Sequence, residues 1–245
     1  MKTLAVSIFL LAICGSVFAQ DIKIAPVLGP SVSIPMVSTE MRDLLTDIYD
    51  EDFETSSKST FPPSLRLQAG ALVDYGFNES LSLQTGLIFN LRGFKYKIKA
   101  DYTDADGDRQ KASGKATFSI TYLEIPIWLS YRLGDTGFKI IAGPGFGFAI
   151  GGKAKSKMSV GDESESYSEK LDIGTDPDSD AVKPFDLNFN IGIAKEINLA
   201  DRPLEISVFA QPSVTKWIPR SSAESDYFAR HLSAGIRVAY FFQIK

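Results

Sequence analysis

The chain holds one cysteine, one histidine and two tryptophans in 245 residues. The cysteine, Cys14, sits in a leader-like segment, so a chain cleaved behind that segment carries neither disulfide nor reactive thiol. Basic residues are not in excess: 26 Lys and Arg face 30 Asp and Glu, a formal charge of −4. No basic patch of the kind that nucleic acid demands stands out, and no nucleic-acid partner is expected. Beyond Gln20 no apolar run approaches the about 20 residues that a spanning helix needs. If the chain enters a membrane it must do so as a closed barrel, because that arrangement alone then satisfies every backbone polar group. What is plentiful points the same way: 19 glycines, 12 prolines and 17 phenylalanines suit a β protein with many turns better than a helical bundle.

The N-terminus reads as an export signal. Lys2 is a small basic region, Leu4 to Ile13 an apolar core, and Val17-Phe18-Ala19 a small-residue cleavage site. We expect a cleaved signal peptide over 1–19 and one barrel domain over 20–245. A lipoprotein reading would make Cys14 the lipidated N-terminus, but Ile13 is too bulky for the position before such a cysteine.

The remainder alternates apolar and polar residues in stretches long enough to cross a bilayer as tilted strands, about 9–11 residues each. Strands are expected near 22–34, 65–77, 81–98, 117–133, 138–151, 185–197, 204–217 and 229–244. In the last, Leu232, Ala234, Ile236, Val238 and Tyr240 share one face, and His231, Ser233, Gly235 and Arg237 the other. In the sixth, Phe185, Leu187, Phe189, Ile191 and Ile193 oppose Asp186, Asn188, Asn190 and Gly192. In the third the alternation changes phase near Gly93, with Phe94, Tyr96 and Ile98 as the new apolar set, and a β-bulge is expected there. Connections alternate long (35–64, 99–116, 152–184, 218–228) and short (Asn78-Glu79, Gly134 to Gly137, Asn198 to Pro203). The fold class that follows is all-β: an eight-stranded antiparallel up-and-down transmembrane β-barrel, with four long loops on one rim and short turns on the other. Outer-membrane barrels have this asymmetry.

A lipocalin-like soluble barrel is the rival, with its apolar face inward. The polar face carries Gly70, Gly86, Gly143, Gly145 and Gly147 among charges of both signs, which suits a narrow lumen filled by side chains. Aromatics also gather at strand ends, as two membrane interfaces require. Tyr75, Phe77, Tyr131, Phe138, Tyr240 and Phe242 lie near the short turns. Phe94, Tyr96, Trp217 and Phe228 lie near the long loops.

Three segments carry a family resemblance: Thr121-Tyr122-Leu123-Glu124-Ile125-Pro126-Ile127-Trp128-Leu129, Ser82-Leu83-Gln84-Thr85-Gly86-Leu87 and Gly143-Pro144-Gly145-Phe146-Gly147. With them the chain resembles the PorT-like outer-membrane β-barrel proteins of Bacteroidetes-type bacteria, often labelled a porin family. The resemblance implies a barrel in the bacterial outer membrane and no particular activity. The chain departs from many outer-membrane barrels in ending Phe242-Gln243-Ile244-Lys245 rather than on an aromatic residue.

The inward charges form the main candidate constellation: Arg66, Asp74, Arg92, Glu124, Arg132, Lys139, Glu205 and Arg237. In so narrow a bore opposite charges on adjacent strands should pair and fill the interior; the functional alternative is a narrow gated ion path. Pro126 and Pro144 imply local bulges or missing ladder bonds. The Gly143 to Phe148 run resembles a phosphate loop but opens no helix, and its glycines make room for bulk such as Trp128. His231 and Ser233 share a face, yet residues two apart on a strand sit roughly 6.5–7 Å apart, too far for a base and its nucleophile. The loop from Glu40 to Glu54 is acidic, and two segments, Asp104 to Asp108 and Asp176 to Asp180, resemble calcium ligands; around Gly107, however, Tyr102 holds the first ligand position and Ser113 the twelfth, where a bidentate glutamate belongs. Thr39 to Tyr49 could form a short amphipathic cap. We therefore expect no catalytic, metal or cofactor site. The expected role is a structural or interaction barrel that anchors acidic external loops, with a narrow channel for small solutes or ions as the alternative and an outer-membrane enzyme third. Expected partners are outer-membrane lipid, the barrel-assembly machinery during insertion, and a protein of the envelope or cell surface.

Overall fold

The computed structural model describes residues 21–40, 57–103, 109–161, 163–176, 178–218 and 229–244. The expected signal segment with Cys14, most of the cap expected over 39–49, the acidic positions of 41–56, the Asp104 to Asp108 run and Phe228 lie outside them. The strands are β1 (Asp21–Val37), β2 (Ser57–Thr60), β3 (Ser64–Gly76), β4 (Leu81–Thr103), β5 (Arg109–Arg132) and β6 (Phe138–Val160). They continue as β7 (Glu163–Lys170), β8 (Phe185–Leu199), β9 (Arg202–Pro212), β10 (Ala229–Tyr240) and β11 (Phe242–Ile244).

Eight of these positions close a ring. The order is β1-β3-β4-β5-β6-β8-β9-β10, every neighbour is antiparallel, and β10 with β11 pairs back onto β1. β10 and β11 are one barrel strand interrupted at Phe241, whose amide donates to Pro203 O at 2.9 Å. β2 and β7 stand outside the ring, on the edges of β4 and β6. One tight turn is a two-residue hairpin at Ala200 and Asp201, whose φ values of 51° and 60° match the twist of the flanking strands.

The eightfold count and the alternation of long and short connections are as expected from the sequence. The strand ends are not. β4, β5 and β6 run well past the expected limits of 98, 117 and 151, so that 99–116 is mostly a strand hairpin rather than a loop, and β7 adds a further strand within 152–184. These extensions lie past the last exposed leucines and isoleucines of the wall and carry exposed lysines and serines that read as loop composition. β9 stops early, at Pro212, although isolated backbone bonds run on beyond it, from Ser213 N to His231 O and from Val214 N to Leu187 O, both at 2.7 Å.

The bulge expected at Gly93 is absent. Residue pairs from Leu81↔Tyr131 to Thr103↔Arg109 keep one register across the whole β4–β5 ladder. Gln84, Ile88, Asn90 and Arg92 point inward, and so do Phe94, Tyr96 and Ile98. The chemistry of the interior changes there, from polar to apolar, while the pleat does not. A register shift occurs elsewhere, in the β5–β6 pair between Thr121 and Tyr122. At Pro126 the expected loss of ladder pairing is present without any slip: neighbouring pairs stop at Thr85↔Ile127 and Pro126↔Gly145 and resume in the same register.

The barrel is apolar outside and polar inside. Leu87, Phe89, Leu129, Ile191, Ile193 and Val208 are exposed on the wall, whereas Gln68, Gln84, Asn90, Arg92, Glu124 and Asn190 are buried within it. That inversion excludes the lipocalin-like alternative, since an exposed apolar band of this kind calls for lipid. The lower girdle of aromatics faces outward as expected, with Tyr131 and Phe138 well exposed. The upper one does not. Phe94, Tyr96 and Trp217 are buried in the mouth, against Ile120, Tyr122 and Val182.

Candidate functional site

The lumen is filled by two polar clusters joined by an aromatic–cation step. Nearer the loop rim, Arg92 of β4 is fully buried and bridges two carboxylates, Glu124 of the adjacent β5 and Asp186 of β8 across the bore. Glu124 is the hub. It also accepts from Gln211 Nε2 at 2.6 Å, Asn90 Nδ2 at 3.2 Å and Asn188 Nδ2 at 3.3 Å. Asp186 accepts from Thr215 Oγ1 at 2.7 Å and Ser213 Oγ at 3.1 Å. Pairing and hydrogen bonding of this kind offset the cost of burying the charges.

Small residues on β6 make room for the hub. A Cβ on Gly145 would lie 2.4 Å from Asn188 Oδ1 and 2.9 Å from Glu124 Oε1. Gly143 meets backbone instead: with φ at +156°, its Cβ would lie 2.2 Å from Ile127 O. The glycines thus admit Glu124, Asn188 and a close strand approach, rather than the Trp128 side chain anticipated from the sequence.

Trp128, fully buried, sits at mid-barrel within an apolar layer that includes Leu72, Ile88, Ile141 and Phe241. The Arg237 guanidinium is sandwiched there, 4.2 Å from the Trp128 ring centre and 4.4 Å from that of Phe209. Its hydrogen bonds, to Gln68 Oε1 and Asn190 Oδ1, are both 3.4 Å.

Toward the tight turns, Lys139 contacts Glu196 at 2.6 Å and Glu205 at 3.0 Å, and Arg132 reaches Glu196 at 2.6 Å. Asp74 accepts from Ser82 Oγ at 3.0 Å and Gln84 Nε2 at 3.1 Å. Below this cluster opens a vestibule of ≈ 370 Å³, bounded by Asp74, Arg132, Lys139, Glu196 and Phe241.

Of the eight charges anticipated, ion pairs join Arg92, Glu124, Arg132, Lys139 and Glu205. Among the described residues Asp74 and Arg237 are held by neutral partners, and Arg66 donates to Ser119 Oγ at 2.9 Å and Phe118 O at 2.7 Å. Two acids complete the network, Asp186 and Glu196. Asp186 stands on the polar face that alternation assigns to its strand, beside Asn188 and Asn190, and lies outside the eight charges named from the sequence. Glu196 lies where alternation fades toward the turn, and no pattern in the sequence singled it out. Pairing is not confined to adjacent strands, because Arg92 reaches Asp186 across the bore.

The roof over this column is aromatic. Phe94 stacks on Phe118 at 4.5 Å, and Trp217 stacks on His231 at 5.4 Å. His231, expected at the rim, is fully buried beneath that stack. Among the described residues neither of its ring nitrogens nor Ser233 Oγ has a hydrogen-bond partner, so the two form no base–nucleophile pair with each other. Asp176 and Asp180 turn their carboxylates onto their own loop, accepting from the amides of Asp178 (3.0 Å) and Asp176 (2.8 Å) respectively.

Solved structures with similar folds share little sequence with this chain. Ail, the attachment invasion locus protein of Yersinia pestis, is 12% identical, with 91% of this chain and 99% of that one covered and a TM-score of 0.35. OprG from Pseudomonas aeruginosa is 13% identical over 91% and 95% of the two chains, with a TM-score of 0.32. The outer membrane protease OmpT from Escherichia coli is 10% identical over 92% and 97%, with a TM-score of 0.31. No curated protein matches the chain. The model of the outer membrane protein beta-barrel domain matches residues 18–210, and the chain belongs to that family, a β-barrel of the bacterial outer membrane.

Proposed function

We propose that this protein is a plugged barrel of structural or interaction type, which holds an external sheet and loops at the cell surface. The supporting observation is the filled bore: Arg92, Tyr122, Trp128 and His231, from successive levels of the lumen, are each 0% exposed. Above them β4, β5 and β6 continue as a sheet beyond the apolar band. Such a sheet offers a rigid surface to a protein of the envelope or exterior. On this reading residues 1–19 are removed at export, residues 20–245 form the domain, and the barrel-assembly machinery inserts it. The Tyr122-Leu123-Glu124-Ile125-Pro126 stretch, with Glu124 as the hub of the plug, supports placing it among PorT-like barrels of Bacteroidetes-type bacteria.

A narrow channel is the second reading. It is favoured by polar lumen atoms that have no partner among the described residues, Gln68 Nε2, Gln84 Oε1 and Asn190 Nδ2, which are places suited to water. Single-channel recording in planar bilayers separates the two. The plugged barrel should give no stable conductance, and a reproducible open level would overturn it in favour of the channel.

A further inference from the structure

The external sheet has two unlike faces. Residues directly opposite one another in a ladder share a face, so the registers define rows across the strands. One row runs Lys97, Lys115, Lys157 and Ser166 through β4, β5, β6 and β7. Beneath it runs Lys95, Thr117, Lys155 and Ser168, and beneath that Ser119, Lys153 and Lys170. Above, Lys99 stands opposite Ser113, and Asp101 opposite Lys111. Asp101 is the sole acid on this face among the described residues of these rows. The acids of β7, Glu163, Glu165 and Glu169, lie on the other face, opposite Val160, Met158 and Ala154.

Lys97, Lys99, Lys115, Lys153, Lys155 and Lys157 are exposed, and no ion pair among the described residues neutralises them. Strands stand about 4.8 Å apart, and like charges directly opposite repel. Three lysines abreast, Lys97, Lys115 and Lys157, therefore call for an anion between them.

The place of this face says which anion. Alternation stays in phase through β4, so Lys95 and Lys97 continue the side that lower down presents Leu87, Phe89 and Leu91 to lipid. On β5 the same side changes from Leu129, Ile127 and Ile125 to Lys115, and on β6 the apolar wall ends at Phe148 and Ile150 just before Lys153. Four residues of strand separate Leu91 from Lys95, about 13 Å along a strand and roughly 10 Å of height at barrel tilt. The headgroup layer itself fills about 5–7 Å above the hydrocarbon edge, and a flexible lysine stem spans the rest.

We propose that this lysine ladder binds phosphate-bearing headgroups of the lipid leaflet around the external rim. Phosphates seated between the rows relieve the repulsion within them, and the barrel gains an ordered lipid collar on the side of β4 to β7. The other face of the sheet, with Ile98, Ala116 and Tyr96 packed on the mouth, takes no part.

The test uses the processed full-length chain, folded in nanodiscs of equimolar phosphatidylglycerol and phosphatidylcholine, with spin-labelled lipid of each type. The wild type should retain the phosphatidylglycerol label preferentially and lose that preference in high salt. The Lys97→Gln/Lys115→Gln/Lys155→Gln/Lys157→Gln variant should lower it on the order of two- to fivefold. Lys183→Gln, a loop-rim control off the ladder, should leave it unchanged. A wild type without preference, a fourfold variant that keeps it, or an equal loss in the control overturns the proposal. So does binding of dextran sulfate to the detergent-solubilised wild type, lost in the fourfold variant, when the lipid preference is absent; the face would then serve a soluble polyanion. Should the fourfold variant fail to fold, acetylation of wild-type amines decides. Ladder lysines should be protected in phosphatidylglycerol relative to phosphatidylcholine discs, and equal labelling refutes the idea.

Discussion

Replacing Arg92 by methionine tests the plug most directly. The substitution keeps length and apolar stem but removes the one cation between Glu124 and Asp186, which are both about 1% exposed. It leaves two buried carboxylates with their neutral partners alone. Breaking a buried ion pair by removing one partner costs about 3–5 kcal/mol, because the survivor stays charged and desolvated. Arg92 serves two carboxylates, so the upper part of that range is expected. With a urea slope of about 3 kcal/mol/M, the unfolding midpoint in lipid vesicles should fall by about 1–2 M. Adding Asp186→Asn to Arg92→Met removes one stranded charge and should recover part of the loss, giving a coupling of more than about 1 kcal/mol in a double-mutant cycle. A midpoint shift below about 0.3 M, or additive effects in the cycle, would refute the view that Arg92 is held by both acids.

Three other outcomes follow from the geometry. Phe189, 45% exposed and central among the lipid-facing residues of β8 from Phe185 to Ile193, faces lipid, so Phe189→Arg should destabilise the folded barrel by about 2–4 kcal/mol in vesicle unfolding, and a neutral result would contradict the inside-out wall. Gly143→Ala places a methyl 2.2 Å from Ile127 O and should reduce the yield of folded, heat-modifiable barrel on gels; wild-type yield would show that the close approach is not needed. Trp128→Ala removes the ring that supports Arg237 at mid-barrel. That variant should lower stability in vesicle unfolding by about 3–5 kcal/mol yet stay silent in planar bilayers, because the Arg92, Tyr122 and His231 levels still fill the bore; a stable conductance would place the whole barrier at Trp128.

Much of the wall was legible because a strand has a period of two, and one side of it must meet lipid. Leu87, Phe89 and Leu91 alternate with inward Ile88, Asn90 and Arg92, and this alone locates β4 and its two faces. The same rule misled at Phe94, Tyr96 and Ile98. Apolar inward residues in phase with polar ones look like a slip when the interior is assumed to be polar throughout. Only the loop segments that fold over the mouth, bringing Val182 and Trp217 onto those rings, explain an apolar roof. The same difficulty hid the lysine ladder: Lys97, Lys115 and Lys157 are far apart in sequence and look like ordinary loop charges.

By itself, then, the amino-acid order determined that eight strands would close with their apolar sides outward, because periodicity and turn residues act over neighbours along the chain. It also marked Arg92, Glu124, Arg132, Lys139 and Glu205 as interior charges. Which of them meet was decided by the tertiary structure: by strand tilt, by register and by the bore's width, which bring Asp186 across to Arg92 and Glu196 between Arg132 and Lys139. Ion pairing depends on distances of a few ångströms between strands remote in sequence, and such distances exist only after the ring has closed.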